Sequence, residues 1–280
     1  MFFRIARYYL RIEWVKIAAV VFFFVLYSIL MVNNTKTMPM TYETFVSQYG
    51  SRYNYIHSEK SVLDKLAESE SIPREQLGNT FEEAYPVFNE RHFSRFLGNT
   101  GNIFYFFTPI LTGGMAALFI CIVFQRRRLV PLMASGCSRG TVYLFLMFLY
   151  FCFILLIWLV AVPLCLSCYR LPLTGEQLAC LQLIKATLLI ALLFGGAVAS
   201  FFAFLLRRPI PVFLASAISL FLLQRLSGLV PVPVKLLISL MEWESNTSTQ
   251  LLIAQSCVTV VVLIAAIVGG WLCFRRQEQT

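Results

Sequence analysis

Apolar residues in this sequence gather in long blocks instead of recurring at the three- and four-residue spacing of a surface helix. Blocks at residues 14–32, 103–124, 142–166, 184–206 and 251–274 run almost without charge, and a sixth, 210–227, breaks up near its end. A hydrocarbon core of about 30 Å takes roughly 20 helical residues at 1.5 Å each, so the pattern predicts six transmembrane helices. The fifth is the irregular one, because Gly228, Pro231 and Pro233 follow it closely. The first block lies behind 13 residues and ends at Val32-Asn33-Asn34 without a small-x-small cleavage site, so it reads as a retained span rather than a signal peptide. Composition agrees: 59% of residues are hydrophobic and 13% charged, against about 45–50% and 25% in a soluble domain. A soluble enzyme, a nucleic-acid module and a coiled coil are excluded on this ground.

The net charge of +9 then becomes a statement about orientation. Arg4, Arg7, Arg11 and Lys16 precede the first span, Arg126, Arg127, Arg128 and Arg139 separate the second from the third, Arg207 and Arg208 the fourth from the fifth, and Arg275 and Arg276 follow the sixth. The opposite short loops hold only Arg170 and Lys235, beside Glu176, Glu242 and Glu244. Lysine and arginine stay on the cytoplasmic side, so these arginines are topology anchors and both termini are placed inside. The long polar segment 33–102 faces outward, since long loops cross largely regardless of charge.

That segment predicts a small helical extracytoplasmic domain. Ser61-Val62-Leu63-Asp64 and Thr80-Phe81-Glu82-Glu83 each set a hydroxyl three residues before a carboxylate, Pro73 suits a first helical turn, and Gly78 and Gly98 suit helix ends. It holds no cysteine, and so few residues make a weak core, so it is expected to lean on the membrane helices or a partner.

Catalytic chemistry can be tested by inventory. The only aspartate is Asp64, in the polar segment, and the only histidines, His57 and His92, lie there too. No aspartate pair, H-E-x-x-H or buried Ser-His pair can therefore form within the membrane, and the two histidines read as surface residues, with no metal site. No G-x-x-x-x-G-K-[ST] occurs, so the chain holds no P-loop. Cys121, Cys137, Cys152, Cys257 and Cys273 read as small apolar residues, while Cys165 and Cys168, in C-x-x-C spacing at the outer end of the third span with Cys180 nearby, suit either that role or a disulfide.

Two amphipathic elements remain. Over residues 1–16, Arg4, Arg7 and Arg11 share one helical face and Phe2, Phe3, Ile5, Tyr9, Leu10 and Ile12 mostly lie elsewhere, the pattern of a helix on the inner leaflet. Residues 125–141 form a basic inner loop whose Leu129, Val130, Leu132 and Met133 are too apolar for a plain solvated connector, which points to docking on another protein.

With these elements in place, the chain resembles the type-2 ABC exporter permeases. The resemblance rests on Leu129-Val130-Pro131-Leu132-Met133-Ala134-Ser135-Gly136-Cys137-Ser138-Arg139-Gly140, similar to that family's leucine-rich coupling segment ending in Ser-Arg, and on Gly228-Leu229-Val230-Pro231-Val232-Pro233, similar to its Pro-rich return after the fifth span. The order of elements covers nearly the whole chain, while these motifs cover about 18 residues. The sequence departs from the family at Arg126, Arg127 and Arg128, where many members carry a glutamate, and at Leu144, Phe145 and Leu146, where a Lys or Arg is frequent.

The resemblance implies a transport subunit with no ATPase site and no bound cofactor of its own. It would pair with a second permease, identical or paralogous, and with separate P-loop ATPase subunits holding ATP and Mg, and would move peptides, drugs or other hydrophobic compounds outward. Leu129, Leu132, Met133, Ser138 and Arg139 would carry the coupling, residues 228–249 would form an outer re-entrant hairpin, and the second and fifth spans would line the path. Tyr105, Thr108, Thr112 and Gln125 give the second span a polar stripe that suits either such a path or hydrogen bonds between helices. Arg225 stands about 21 Å along the fifth span, an intramembrane charge that suits a functional role, snorkelling, or pairing with Glu242 or Glu244. Lys185 reads as an interfacial residue. The alternative from another class is a channel or membrane sensor that works without ATP.

Overall fold

The computed structural model describes residues 40–50, 59–125, 136, 138–167, 175–225 and 245–276. The first span, the 1–16 helix, Cys168 of the C-x-x-C pair, most of the inner loop and the 228–244 part of the outer hairpin lie outside the described residues, while Cys165 falls in the last turn of the helix that begins at Arg139. What is described is helical, with no strand among those residues. In chain order the α-helices are α1 (Tyr42–Phe45), α2 (Glu59–Glu70), α3 (Phe81–Ala116), α4 (Ile122–Gln125), α5 (Arg139–Ser167), α6 (Gly175–Leu206), α7 (Pro209–Arg225) and α8 (Ser245–Arg276). Wider π-helical turns occupy Val46–Gly50 and Ala117–Cys121, and a 3₁₀ turn Arg74–Gln76.

Three of these helices are long and apolar enough to cross a membrane, over Arg139–Leu159, Lys185–Leu206 and Leu252–Arg276. They mark the chain as membrane-embedded. Two shorter apolar helices, Phe107–Cys121 and Pro209–Leu223, pack with them. α6 is the central element and lies against α3, α5, α7 and α8. Their shared core contains Met115, Phe119, Ile120, Val142, Phe145, Leu146, Tyr150, Ile154, Leu192, Ala199, Ala203 and Phe204.

The polar segment differs from expectation in two ways. First, it builds its own core: Phe45, Val62, Leu63, Leu66, Leu77, Phe81, Ala84 and Phe88 are buried together, with Phe45 and Phe88 ring centroids 4.9 Å apart. Five aromatic rings, those of Phe45, Tyr49, Phe81, Tyr85 and Phe88, each remove apolar area from water and offset the small size of the unit. Second, no helix end separates it from the bundle. α3 runs without a break from Phe81 in the polar core through Thr108 and Thr112 in the bundle, so Gly98 is internal rather than a helix end. A single interior glycine costs a helix only about 1 kcal/mol, and a long helix absorbs it.

The start of α3 follows the sequence. The Thr80 hydroxyl accepts from the Glu83 amide at 3.3 Å, and the Glu83 carboxylate accepts from the Asn79 amide at 2.7 Å, which satisfies two donors that the helix itself cannot. Gly78 precedes this cap at φ +66°, where a Cβ would lie 2.3 Å from Glu83 Oε2, so both conformation and space call for glycine. The other anticipated cap is absent: Ser61 lies inside α2, and Asp64 instead accepts from Arg74 Nε. His92 is also not a surface residue. It is buried, stacks on Phe88 at 4.0 Å and sits 3.8 Å from Glu70, which Arg95 also engages.

Candidate functional site

Two features of the bundle bear on function: a seam of small and polar residues through its middle, and an aromatic end surrounded by arginines.

The seam begins on α3. Pro109 has no amide hydrogen to give the carbonyl four residues back, and Thr112 donates its hydroxyl to the Thr108 carbonyl at 2.7 Å. The Thr112 carbonyl in turn accepts from the Tyr150 hydroxyl of α5 at 3.0 Å. Thr108 and Thr112 both face Gly195 of α6, where a Cβ would come within 3.1 Å of Thr112 Oγ1. On the other side, a Cβ on Gly113 would lie 2.4 Å from Ser216 Oγ of α7. Where lipid removes the usual hydrophobic drive between helices, such close approach of small residues supplies the dispersion contacts that hold them together. The described polar-stripe residues Thr108 and Thr112 are therefore buried against α6, with the Thr112 hydroxyl satisfied within its own helix. Tyr105 lies in α3, and Gln125 ends α4, with side chains outside the described set.

Hydropathy alone passes over this seam, yet the sequence carries its signal. Gly195, Ala199 and Ala203 recur every fourth residue on α6, and glycine pairs stand at 113–114, 195–196 and 269–270 on three of the packed helices. Four-residue spacing puts small residues on one helical face.

At one end of the bundle, α4, α5, α6 and α8 bring together Phe124, Tyr143, Phe204, Trp271 and Phe274. The Tyr143 ring lies 4.7 Å from Phe204, 5.4 Å from Trp271 and 5.8 Å from Phe274. Phe124 lies 6.0 Å from both Phe204 and Phe274. The Tyr143 hydroxyl donates to the Ile267 carbonyl at 2.6 Å, which fastens α5 to α8. Arg139, Arg207, Arg208, Arg275 and Arg276 all occur within a few residues of this cluster, so four predicted anchors and the coupling candidate Arg139 sit at a single end. Arg207 closes α6 in a left-handed conformation at φ +57° and places its guanidinium 5.2 Å over the Phe124 ring. Its charge also suits the negative end of the α6 dipole. At the far end, Trp158 donates its indole hydrogen to the Lys185 carbonyl at 3.0 Å, tying α5 to α6 where Lys185 is half-buried.

The predicted coupling segment leaves the bundle at this aromatic end. Gln125 closes α4 beside Phe124, and α5 begins at Arg139. Ser138 caps α5, its hydroxyl accepting from the Thr141 amide at 3.2 Å. Gly136 is exposed at φ +81°, a turn before the cap. Leu129, Leu132, Met133, Arg126, Arg127 and Arg128 lie outside the described residues, as do Arg4, Arg7 and Arg11. Arg225 is the last residue of α7, with its side chain outside the described set.

Among the described residues no group of three or more His, Cys, Asp or Glu is arranged to hold a metal ion. No family model, curated protein or solved structure matches the chain.

Proposed function

We propose that this chain is the membrane-spanning subunit of a type-2 ABC exporter in a bacterial cytoplasmic membrane. On this reading it has six spans, both termini inside and the polar domain outside. It works with a second permease copy or paralogue and with separate ATPase subunits that bind ATP and Mg. Its cargo is a peptide, drug or other hydrophobic compound.

The observation that best supports the reading is where the two flanks of the inner loop stand. The leucine-rich segment 126–137 joins the end of α4 to the capped first turn of α5, and both flanks stand in the aromatic cluster that also holds the ends of α6 and α8. Force applied to this loop by an ATPase subunit reaches four helices at once. Closure of the ATPase pair would shift α4 and α5 together and rock one half-transporter against the other, a rigid-body motion about a shared interface. The buried Gly-Thr-Ser seam keeps α3, α6 and α7 moving as one unit.

The test is a pull-down in detergent with the cognate P-loop subunit. Leu132→Asp places a charge in the proposed desolvated contact and is expected to weaken association by about 2–5 kcal/mol while the chain stays folded. Normal capture by a folded Leu132→Asp chain would remove the loop from the coupling role. ATP hydrolysis by the isolated chain would remove the exporter reading itself, and extracellular labelling of the loop would reverse the orientation.

A further inference from the structure

Arg208 on the α6–α7 turn, and Arg275 and Arg276 at the end of α8, are exposed. One aromatic ring joins the two helix ends: Phe124 lies beneath Arg207 at 5.2 Å and beside Phe274 at 6.0 Å. Next to the arginines the surface turns apolar. Leu205, Leu206 and Ile210 flank the turn, and Leu272 stands one helical turn before Arg276, all exposed. Residues 177–241 and 245–277 contain no aspartate or glutamate, and Glu278, two residues beyond Arg276, is the one acidic residue adjoining these arginines in the sequence, which leaves a net positive charge.

A cationic rim against an exposed apolar wall fits a particular kind of ligand. A free inorganic anion would use the arginines and leave the leucines bare, and an acidic protein surface would do the same. A phospholipid uses both, its phosphate oxygens accepting from guanidinium hydrogens while an acyl chain covers Leu205, Leu206, Ile210 and Leu272. Zwitterionic lipids carry an ammonium group that cancels the head charge and faces the arginines unfavourably. We propose that the α6–α7 turn and the C-terminal end of α8 form a binding site for the headgroup of an anionic phospholipid. The proposal rests on these helices alone and stands whether or not the chain is an exporter.

Attraction of each basic side chain to an anionic headgroup amounts to about fivefold in affinity, so three arginines together give roughly a hundredfold. The full chain is reconstituted in nanodiscs with equal phosphatidylglycerol and phosphatidylcholine, and retained lipids are counted by native mass spectrometry. Phosphatidylglycerol is expected to be retained at least tenfold over phosphatidylcholine, with the preference falling as salt is raised. Arg208→Gln/Arg275→Gln/Arg276→Gln is expected to reduce the preference at least fivefold, and Lys185→Gln, at the far end, to leave it unchanged. A wild-type chain without preference, or with one insensitive to salt, overturns the proposal even if the triple variant fails to fold. So does a folded triple variant that keeps the preference, or displacement of the lipid by millimolar inorganic phosphate, which would make this a site for the free anion.

Discussion

The Tyr150 hydroxyl donates to the Thr112 carbonyl across 3.0 Å in the middle of the helical bundle. Tyr150 is fully buried, and its partner lies one turn before the π-helical stretch Ala117–Cys121. A phenol in a hydrocarbon-like interior needs an acceptor, and a helical carbonyl keeps a second lone pair beyond its intrahelical hydrogen bond. Tyr150→Phe keeps the ring and removes only this bond, so thermal unfolding in detergent should show a loss of about 0.6 kcal/mol and no more than about 1.7. A much larger loss would mean that the ring packing, and not the hydrogen bond, had been disturbed.

Packing between α3 and α7 is set by Gly113 and Ser216. An added methyl group on residue 113 would meet Ser216 Oγ at 2.4 Å, with the Phe213 carbonyl at 3.4 Å behind it. Gly113→Ala is expected to destabilise by about 1–3 kcal/mol, as overpacking usually does. Ser216→Ala removes the clashing atom, so the double variant should recover most of the loss. Equal losses in the single and double variants would show that the helices part for another reason, because a true clash is non-additive.

In the polar domain, the Tyr85 hydroxyl donates to the Met40 carbonyl at 2.9 Å, and burial raises the Tyr85 phenol above its ordinary range near 10. The sign follows directly: the folded state holds this proton more tightly than the unfolded chain does, so stability is fully present below about pH 10 and falls as pH rises beyond it. Hydrogen exchange of residues 59–93 in the full chain should lose protection above that pH. Tyr85→Phe should lower protection by about 0.5–1.5 kcal/mol at neutral pH and flatten the alkaline dependence. An unchanged alkaline slope would assign the titration to other groups.

Much of this architecture is legible in the residues, and the exceptions have physical causes. The uncharged blocks locate α5, α6 and α8, and the Thr80-Glu83 spacing locates the start of α3, because membrane length and capping geometry are both local constraints. Composition shifts sharply near residue 103, but backbone hydrogen bonding does not, and α3 passes straight through. His92 is polar by type, yet its ring completes the Phe88 stack beside Glu70, a tertiary fact that spacing cannot supply. In the bundle, hydropathy treats Gly195, Ala199 and Leu192 alike as apolar. Only their size separates the seam from the surrounding apolar surface. The arginines behave differently: their clustering at one end follows from the same count of basic residues that sets the sequence-based orientation.

Arg207 combines an unfavourable backbone with a favourable contact. A non-glycine residue at φ +57° costs about 1–3 kcal/mol, while the guanidinium over Phe124 returns about 0.5–1 kcal/mol and the helix dipole a further 0.3–1. Arg207→Gly gives up both attractions and relieves the backbone, so its unfolding midpoint should stay close to wild type. Arg207→Gln gives them up without relief and should be less stable than the glycine variant by about 1 kcal/mol or more. Phe124→Leu should cost less in the Arg207→Gln background than in wild type, because the ring then has no cation to hold. If the glutamine variant proves as stable as the glycine variant, the left-handed turn carries no strain, and the arginine is kept at this position for its charge alone.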